Sequence, residues 1–260
     1  MPFTPAHAAA AIPFQRTPLI PSALVIGCFS PDFEYFLRLA PKGSFGHTLT
    51  GMFVFDLPMA LLILWLFHAY ATEPIVAWLP TTVSQRLPSS TAMSSMRNAR
   101  GIALVSISIL IGAATHLLWD SFTHPGYWPY HHWLFLRRTT ELPIVGQVHC
   151  FKVLQYLSSL TGLLVLLIWF WHWYSHTMPI RSLRTERPRK DESAVFAVLC
   201  IVAVVAAFLR GVLGVGMPMN SREGEVLLAE AVTTAIAVFW FEIVVYGVLR
   251  AQKRSRLKNA

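Results

Sequence analysis

Along this chain, long runs almost free of charge alternate with short polar connections. Four runs, near 49–71, 153–173, 194–215 and 226–249, are long and apolar enough to cross about 30 Å of hydrocarbon as helices. A fifth, 101–120, is shorter and still sufficient. A lipid-exposed backbone must satisfy its own hydrogen bonds, so these runs predict helices. Segment 19–40 is only semi-apolar and is broken by Pro21, Pro31 and Asp32. It predicts short interfacial helices rather than a span. The expected fold is therefore all-α: a polytopic membrane helix bundle of about five transmembrane helices preceded by short N-terminal interfacial helices.

Composition agrees with the pattern. Apolar residues make up 55% and charged residues 13%, outside the usual balance of a soluble domain. The chain divides into three parts: residues 1–176 with nearly all the candidate chemistry, a basic linker at 177–193, and a two-span hairpin with a basic tail at 194–260. The stretch 81–95, rich in Ser, Thr and Pro, reads as a solvated loop, and no internal repeat is evident.

The net charge of +8 matters through its placement. Arg181, Arg184, Arg187, Arg189 and Lys190 follow the third span; Arg250, Lys253, Arg254, Arg256 and Lys258 follow the fifth. With five spans both groups share one side, with Arg86, Arg97 and Arg100, and the positive-inside rule makes that side cytoplasmic. The N-terminus, the 121–152 loop and the 216–225 turn then face outward. Topology accounts for the basic tail, so no nucleic-acid partner is expected. Cys28, Cys150 and Cys200 form neither a CxxC motif nor a disulfide framework, although Cys28 and Cys150 share the outer face. No cleavable signal peptide is expected, because the first residues lack a basic start followed by an apolar core.

The densest chemistry is His116-Leu-Leu-Trp-Asp120-Ser-Phe-Thr-His124, at the end of the 101–120 run. Successive i, i+4 steps stack the three side chains on one helix face. Two imidazoles and a carboxylate there are a set of divalent-metal ligands. Ionisable residues at a membrane rim are costly without a function. Pro125 disfavours helical geometry at His124, which places that histidine on the helix terminus. Upstream, Thr4-Pro5 reads as a helix cap ahead of His7, Ser30-Pro31-Asp32 as another helix start, and Gly46-His47 precedes the first span. In the five-span topology, His7, Asp32, His47, His116, Asp120 and His124 all emerge on the outer face, which argues for a single site.

Met1-Pro-Phe-Thr-Pro-Ala-His7, Ser30-Pro-Asp32-Phe-Glu-Tyr-Phe36, Gly46-His47 and Thr115-His116-Leu-Leu-Trp-Asp120-Ser-Phe-Thr-His124 together resemble an uncharacterised bacterial integral-membrane family, a domain of unknown function. The order His, Asp, His, His-x-x-x-Asp, His is also similar to the zinc-dependent phospholipase C and single-strand nuclease superfamily, and to inner-membrane metal-dependent hydrolases. The resemblance implies that His7, Asp32, His47, His116, Asp120 and His124 are metal ligands in an all-helical site. It further implies phosphoester hydrolysis, with Asp32 and Asp120 as the catalytic carboxylates and Asp32 orienting or deprotonating a water. The chain departs from the soluble zinc enzymes at two points. Met1-Pro2 offers no obvious equivalent of their amino-terminal ligand, and no His-x-x-x-Glu/Asp pair follows His124. One or two ions, zinc by donor type, is the expectation.

The functional expectation is a membrane-embedded metal hydrolase acting on a lipid or lipid-linked phosphoester at the outer face of a bacterial inner membrane, with membrane lipid as its partner. Arg137, Arg138 and Lys152 offer positive charge to an anionic group. The competing readings are a scaffold with a structural metal and a transporter. His131-His132 and His172/His176 sit among tryptophans and tyrosines and read as interfacial anchors. Inside the spans, Arg210 and Glu230 lie at matching depth and suggest a pair across the hairpin. Asp56, next to Leu57-Pro58, suggests a kink and a supporting group behind His47 rather than a direct partner. Glu242 has no partner that the sequence identifies.

Overall fold

The computed structural model describes residues 3–87, 95–143, 146–180, 190–215 and 221–259. Met1-Pro2, residues 88–94 of the Ser/Pro-rich loop, Arg181, Arg184, Arg187 and Arg189 of the linker, and residues 216–220 of the last turn lie outside the described residues. Five helices are long and apolar enough to cross a membrane: Leu49–Trp78, Ala99–His132, Cys150–His176, Asp191–Gly214 and Glu223–Leu257. These correspond to the five expected spans and define an all-α integral membrane protein. In the second of these stretches the continuous helix is Ala99–Thr123, and a turn separates it from the short helix Trp128–His132. Segment 19–40 forms the short helices Pro21–Phe29 and Phe33–Arg38, neither long enough to span.

Two local structures differ from the expectation. The 121–152 loop contains a β-hairpin, Thr139–Leu142 against Gly146–His149, with Thr139 opposite His149 and Leu142 opposite Gly146. Its Gly146 has φ of +81°, a turn conformation that glycine tolerates. At the N-terminus, Thr4–Phe14 is a 3-10 helix rather than an α-helix opened by a Thr4 cap. Thr4 lies inside it, Phe3 holds the cap position, and no side chain caps the end.

The chain forms two compact units, and the division falls within the first span. One unit comprises Met1–Asp32, Phe45–Leu61 and Thr91–His176. In it, Pro21–Phe29 crosses Ala99–Thr123 at backbone contact. A Cβ on Gly112 would stand 2.2 Å from the Leu24 carbonyl oxygen, and one on Gly27 2.2 Å from that of Ile109. Only hydrogen side chains allow this approach. Buried Ser108 takes the Ile20 N–H at 3.0 Å beside the crossing, and Ala11, Leu24 and Cys28 form a small core nearby. The Thr4–Phe14 segment lies on the third span, where a Cβ at Gly162 would meet the Ala6 carbonyl at 2.8 Å. Phe3 N–H donates to Ser159 Oγ at 3.0 Å and ties the segment's start to the same helix. The first span enters through a π-helical turn, Met52–Asp56, just ahead of Pro58. A proline there removes an N–H from the ladder, and the wider turn is where the expected opening of the backbone occurs.

The other unit comprises Phe33–Ser44, Leu62–Ser90 and Thr177–Ala260. Its long helices, Lys190–Val215 and Ser221–Asn259, pair along their lengths. The expected Arg210–Glu230 pair is present at 3.5 Å. A second charge cluster joins three helices: Arg250 lies 2.7 Å from Glu192 and 3.1 Å from Glu73, and Arg254 grips Glu73 at 2.6 Å. Trp78 stacks on Tyr246 beside it. All three cysteines are free. Burial pushes the Cys28 thiol up to about 11, which leaves it unreactive.

Candidate metal centre

Four segments of one unit deliver the six candidate residues. The 3-10 helix brings His7, the Ser30–Asp32 turn brings Asp32, the residue pair before the first span brings His47, and Ala99–Thr123 brings His116 and Asp120. His124 is the C-cap of that helix, with φ −128° and ψ 142°, the extended geometry expected before Pro125.

His116 and Asp120 stand at the centre. Asp120 Oδ1 faces His7 Nε2 at 3.4 Å. Its Oδ2 faces His47 Nε2 at 3.5 Å, His116 Nε2 at 3.4 Å and His124 Nδ1 at 3.6 Å. Asp32 Oδ1 completes the ring, 3.4 Å from His47 Nε2 and 3.7 Å from His116 Nε2. The His7 and His116 rings stack with centroids 3.9 Å apart. His7, His116 and Asp120 bring three donor atoms within 4.8 Å of one another, and so do Asp32, His47 and His116. His124 belongs to neither group.

Hydrogen bonds outside the ring fix its members. His116 Nδ1 donates to the Cys28 carbonyl at 2.7 Å, which sets the tautomer and turns the Nε2 lone pair inward. That bond depends on the backbone crossing at Gly27 and Gly112. Thr4 Oγ1 donates to Asp32 Oδ2 at 2.5 Å, leaving Oδ1 for the ring. Gly46 is wedged between the Pro31 carbonyl and the Asp56 carboxylate, so buried Asp56 backs the turn that carries His47.

The site is nearly dry. His7, Asp32, His116 and Asp120 are at most 3% exposed, so each polar atom left without a hydrogen bond is costly. Among the described residues, His7 Nε2, His116 Nε2, Asp32 Oδ1 and Asp120 Oδ1 are such atoms, and all face one another. Burial, with His116 alongside, pushes the His7 imidazole down to about 3, so His7 is a neutral donor. Burial also works against a charged His47, but the facing carboxylates of Asp120 and Asp32 outweigh it and raise His47 to about 9. Burial opposes ionisation of Asp32, yet His47, His116 and the Thr4 hydroxyl hold its carboxyl below the usual range.

Ligand atoms around a tetrahedral zinc ion stand about 3.4 Å apart, given bonds of about 2.0–2.1 Å. The separations above fall at or just beyond that spacing, and imidazole with carboxylate is a donor set that zinc accepts. The residues fit a divalent cation.

The structure thus brings His7, Asp32, His47, His116 and Asp120 into one ring, with His124 at its edge. It does not bring in His131, His132, Arg137 or Arg138. His132 stacks on Trp128 at 4.2 Å, and both arginines are exposed beside the hairpin. Sequence reasoning missed Thr4 as an Asp32 partner, the Cys28 carbonyl, and Gln155, whose Nε2 lies 3.3 Å from His124 Nε2. A lone glutamine near the start of an apolar run is a signal; a main-chain oxygen leaves none.

These features define a helical membrane protein with a buried His/Asp donor cluster in one of its two units. The chain belongs to the family described as a domain of unknown function, DUF4184, whose model matches residues 1–248. No curated protein and no solved structure matches it.

Proposed function

We propose that this protein is a divalent-metal-dependent hydrolase of the bacterial cytoplasmic membrane. It acts on a phosphoester of a lipid or lipid-linked substrate at the extracytoplasmic face, with its N-terminus outside and its C-terminus in the cytoplasm. The observation that carries the reading is the inward-facing set of buried donors without hydrogen bonds: His7 Nε2, His116 Nε2, Asp32 Oδ1 and Asp120 Oδ1. An uncompensated arrangement of this kind is unfavourable for the protein alone and favourable around a cation.

His7, His47, His116, Asp32 and Asp120 would hold the ion, zinc by donor type. When bound, it supplies Lewis acidity for phosphoester hydrolysis. His116 can serve one ion only, since its Nδ1 is committed to Cys28. Asp32, with one oxygen held by Thr4 and its carboxyl kept ionised, accepts a hydrogen bond from a water and orients it. The substrate class rests on location and on the resemblance of the His/Asp order. A structural metal is the second reading, favoured by how little of the set is exposed; it predicts a closed ligand shell.

The test is elemental analysis of the detergent-purified protein beside a His116→Ala/Asp120→Ala variant, followed by hydrolysis of phospholipid vesicles. Stoichiometric zinc and phosphate-ester cleavage, both absent from a still-folded variant, are expected. Zinc without cleavage selects the structural reading; no divalent metal in either protein removes both.

A further inference from the structure

His124 differs from the other five residues in three ways. Its side chain is 22% exposed, against 9% or less for the rest. It lies outside both three-donor groups. And both of its ring nitrogens are engaged. Nδ1 faces the Asp120 carbonyl at 3.3 Å, Asp120 Oδ2 at 3.6 Å and the Thr123 hydroxyl at 3.3 Å, and that hydroxyl donates to the same carbonyl, so Nδ1 carries the ring hydrogen. Nε2 faces the Gln155 amide nitrogen at 3.3 Å and accepts from it. Neither nitrogen then offers a lone pair to a cation. Gln155 is itself buried, 4% exposed, and sits on the third span, while Asp120 and His124 belong to the second.

We infer that His124 is not a metal ligand but the positioning residue for Asp120, held in place by Gln155. The chain of contacts Asp120–His124–Gln155 braces Asp120 at the most exposed edge of the ring, through a hydrogen bond to its main-chain oxygen and a 3.6 Å approach to its carboxylate, as a partner outside a metal's ligands does elsewhere. Its carboxylate partner faces four imidazoles, and a fixed rotamer decides which oxygen each one meets. The inference rests on the metal reading above.

The test is zinc affinity of the full-length protein in detergent, measured by competition with a chromophoric chelator, beside elemental analysis. His124→Ala is expected to keep full zinc stoichiometry while its affinity falls about 10–100-fold. Gln155→Leu should fall by a similar or smaller factor, and the double variant by little more than His124→Ala alone, because the two residues act as one unit. His124→Gln, which restores a hydrogen-bonding group without an imidazole ligand, should recover most of the loss. Complete loss of zinc in His124→Ala and His124→Gln, matching His116→Ala, would make His124 a ligand and overturn the inference. Unchanged affinity in His124→Ala would overturn it as well, leaving the contact without a role. Wild-type protein that binds no zinc defeats the metal reading itself, an outcome distinct from both.

Discussion

Charged side chains gather in both units, and on opposite terms. Around Arg250 and Arg254, each carboxylate of Glu73 and Glu192 meets a guanidinium at 2.6–3.1 Å, and the cluster closes on itself at a partly exposed surface. Around Asp120, the buried His7 and His116 imidazoles and the Asp32 and Asp120 carboxylates aim at one another atoms that have no hydrogen bond, His7 Nε2, His116 Nε2, Asp32 Oδ1 and Asp120 Oδ1. In the first cluster opposite charges compensate inside the protein. The second needs something positive from outside. The difference shows that counting ionisable residues in membrane helices is a poor guide to function. What matters is whether a cation of the protein already stands against them.

The largest effect that tests this contrast is metal content. His116→Ala/Asp120→Ala should hold no zinc, whereas Glu73→Gln/Glu192→Gln should hold as much as wild type by elemental analysis; equal retention in both would erase the distinction. Next comes the helix crossing. Gly112→Val pushes a side chain into the Leu24 carbonyl and should destabilise by about 3 kcal/mol or more, with zinc affinity falling because His116 loses the Cys28 carbonyl. Chemical denaturation in detergent measures the first effect and chelator competition the second. Zinc at about a hundredfold excess over its Kd should stabilise wild type by about 2.7 kcal/mol and leave the His116/Asp120 variant unmoved.

A smaller effect is the pH dependence of metal-free protein. His47 is raised from 6.5 to about 9 on folding, so its contribution is full below 6.5 and is lost as pH rises through 9. His7 has the opposite sign. The folded chain refuses a proton until about 3 while the unfolded chain accepts one near 6.5, so stability also falls as pH drops below 6.5. Denaturation midpoints should peak near 6.5, and His47→Gln should flatten the alkaline side. The smallest effect is Glu73→Gln alone: below about 1 kcal/mol, and weaker at high salt. A larger loss there would mean the exposed cluster is as critical as the buried one.

Much of this was legible in the sequence for definite physical reasons. Runs of apolar residues report span length directly, and i, i+4 spacing fixed a common face for His116, Asp120 and His124. Pro125 located the helix end. Matching depth identified Arg210 with Glu230. What escaped was whatever depends on the path of the backbone. Residue types do not distinguish a 3-10 from an α start at Thr4, since Pro5 suits both. The hairpin at 139–149 was hidden by its brevity. Arg250 and Arg254 looked like topology signals, and their pairing with Glu73 and Glu192 joins helices far apart in sequence. His124 was grouped with its neighbours by spacing alone, which is blind to Gln155 on another helix.

The contact between His116 and Cys28 carries a further consequence. Its acceptor is a main-chain oxygen, which every amino acid at position 28 would supply equally well. Changing the cysteine to alanine or serine leaves that oxygen where it is. A scan of side chains would therefore pass over one of the partners that orient the central imidazole. The site's tuning knob is instead the distance between two helices, set by a pair of residues that have no side chain at all.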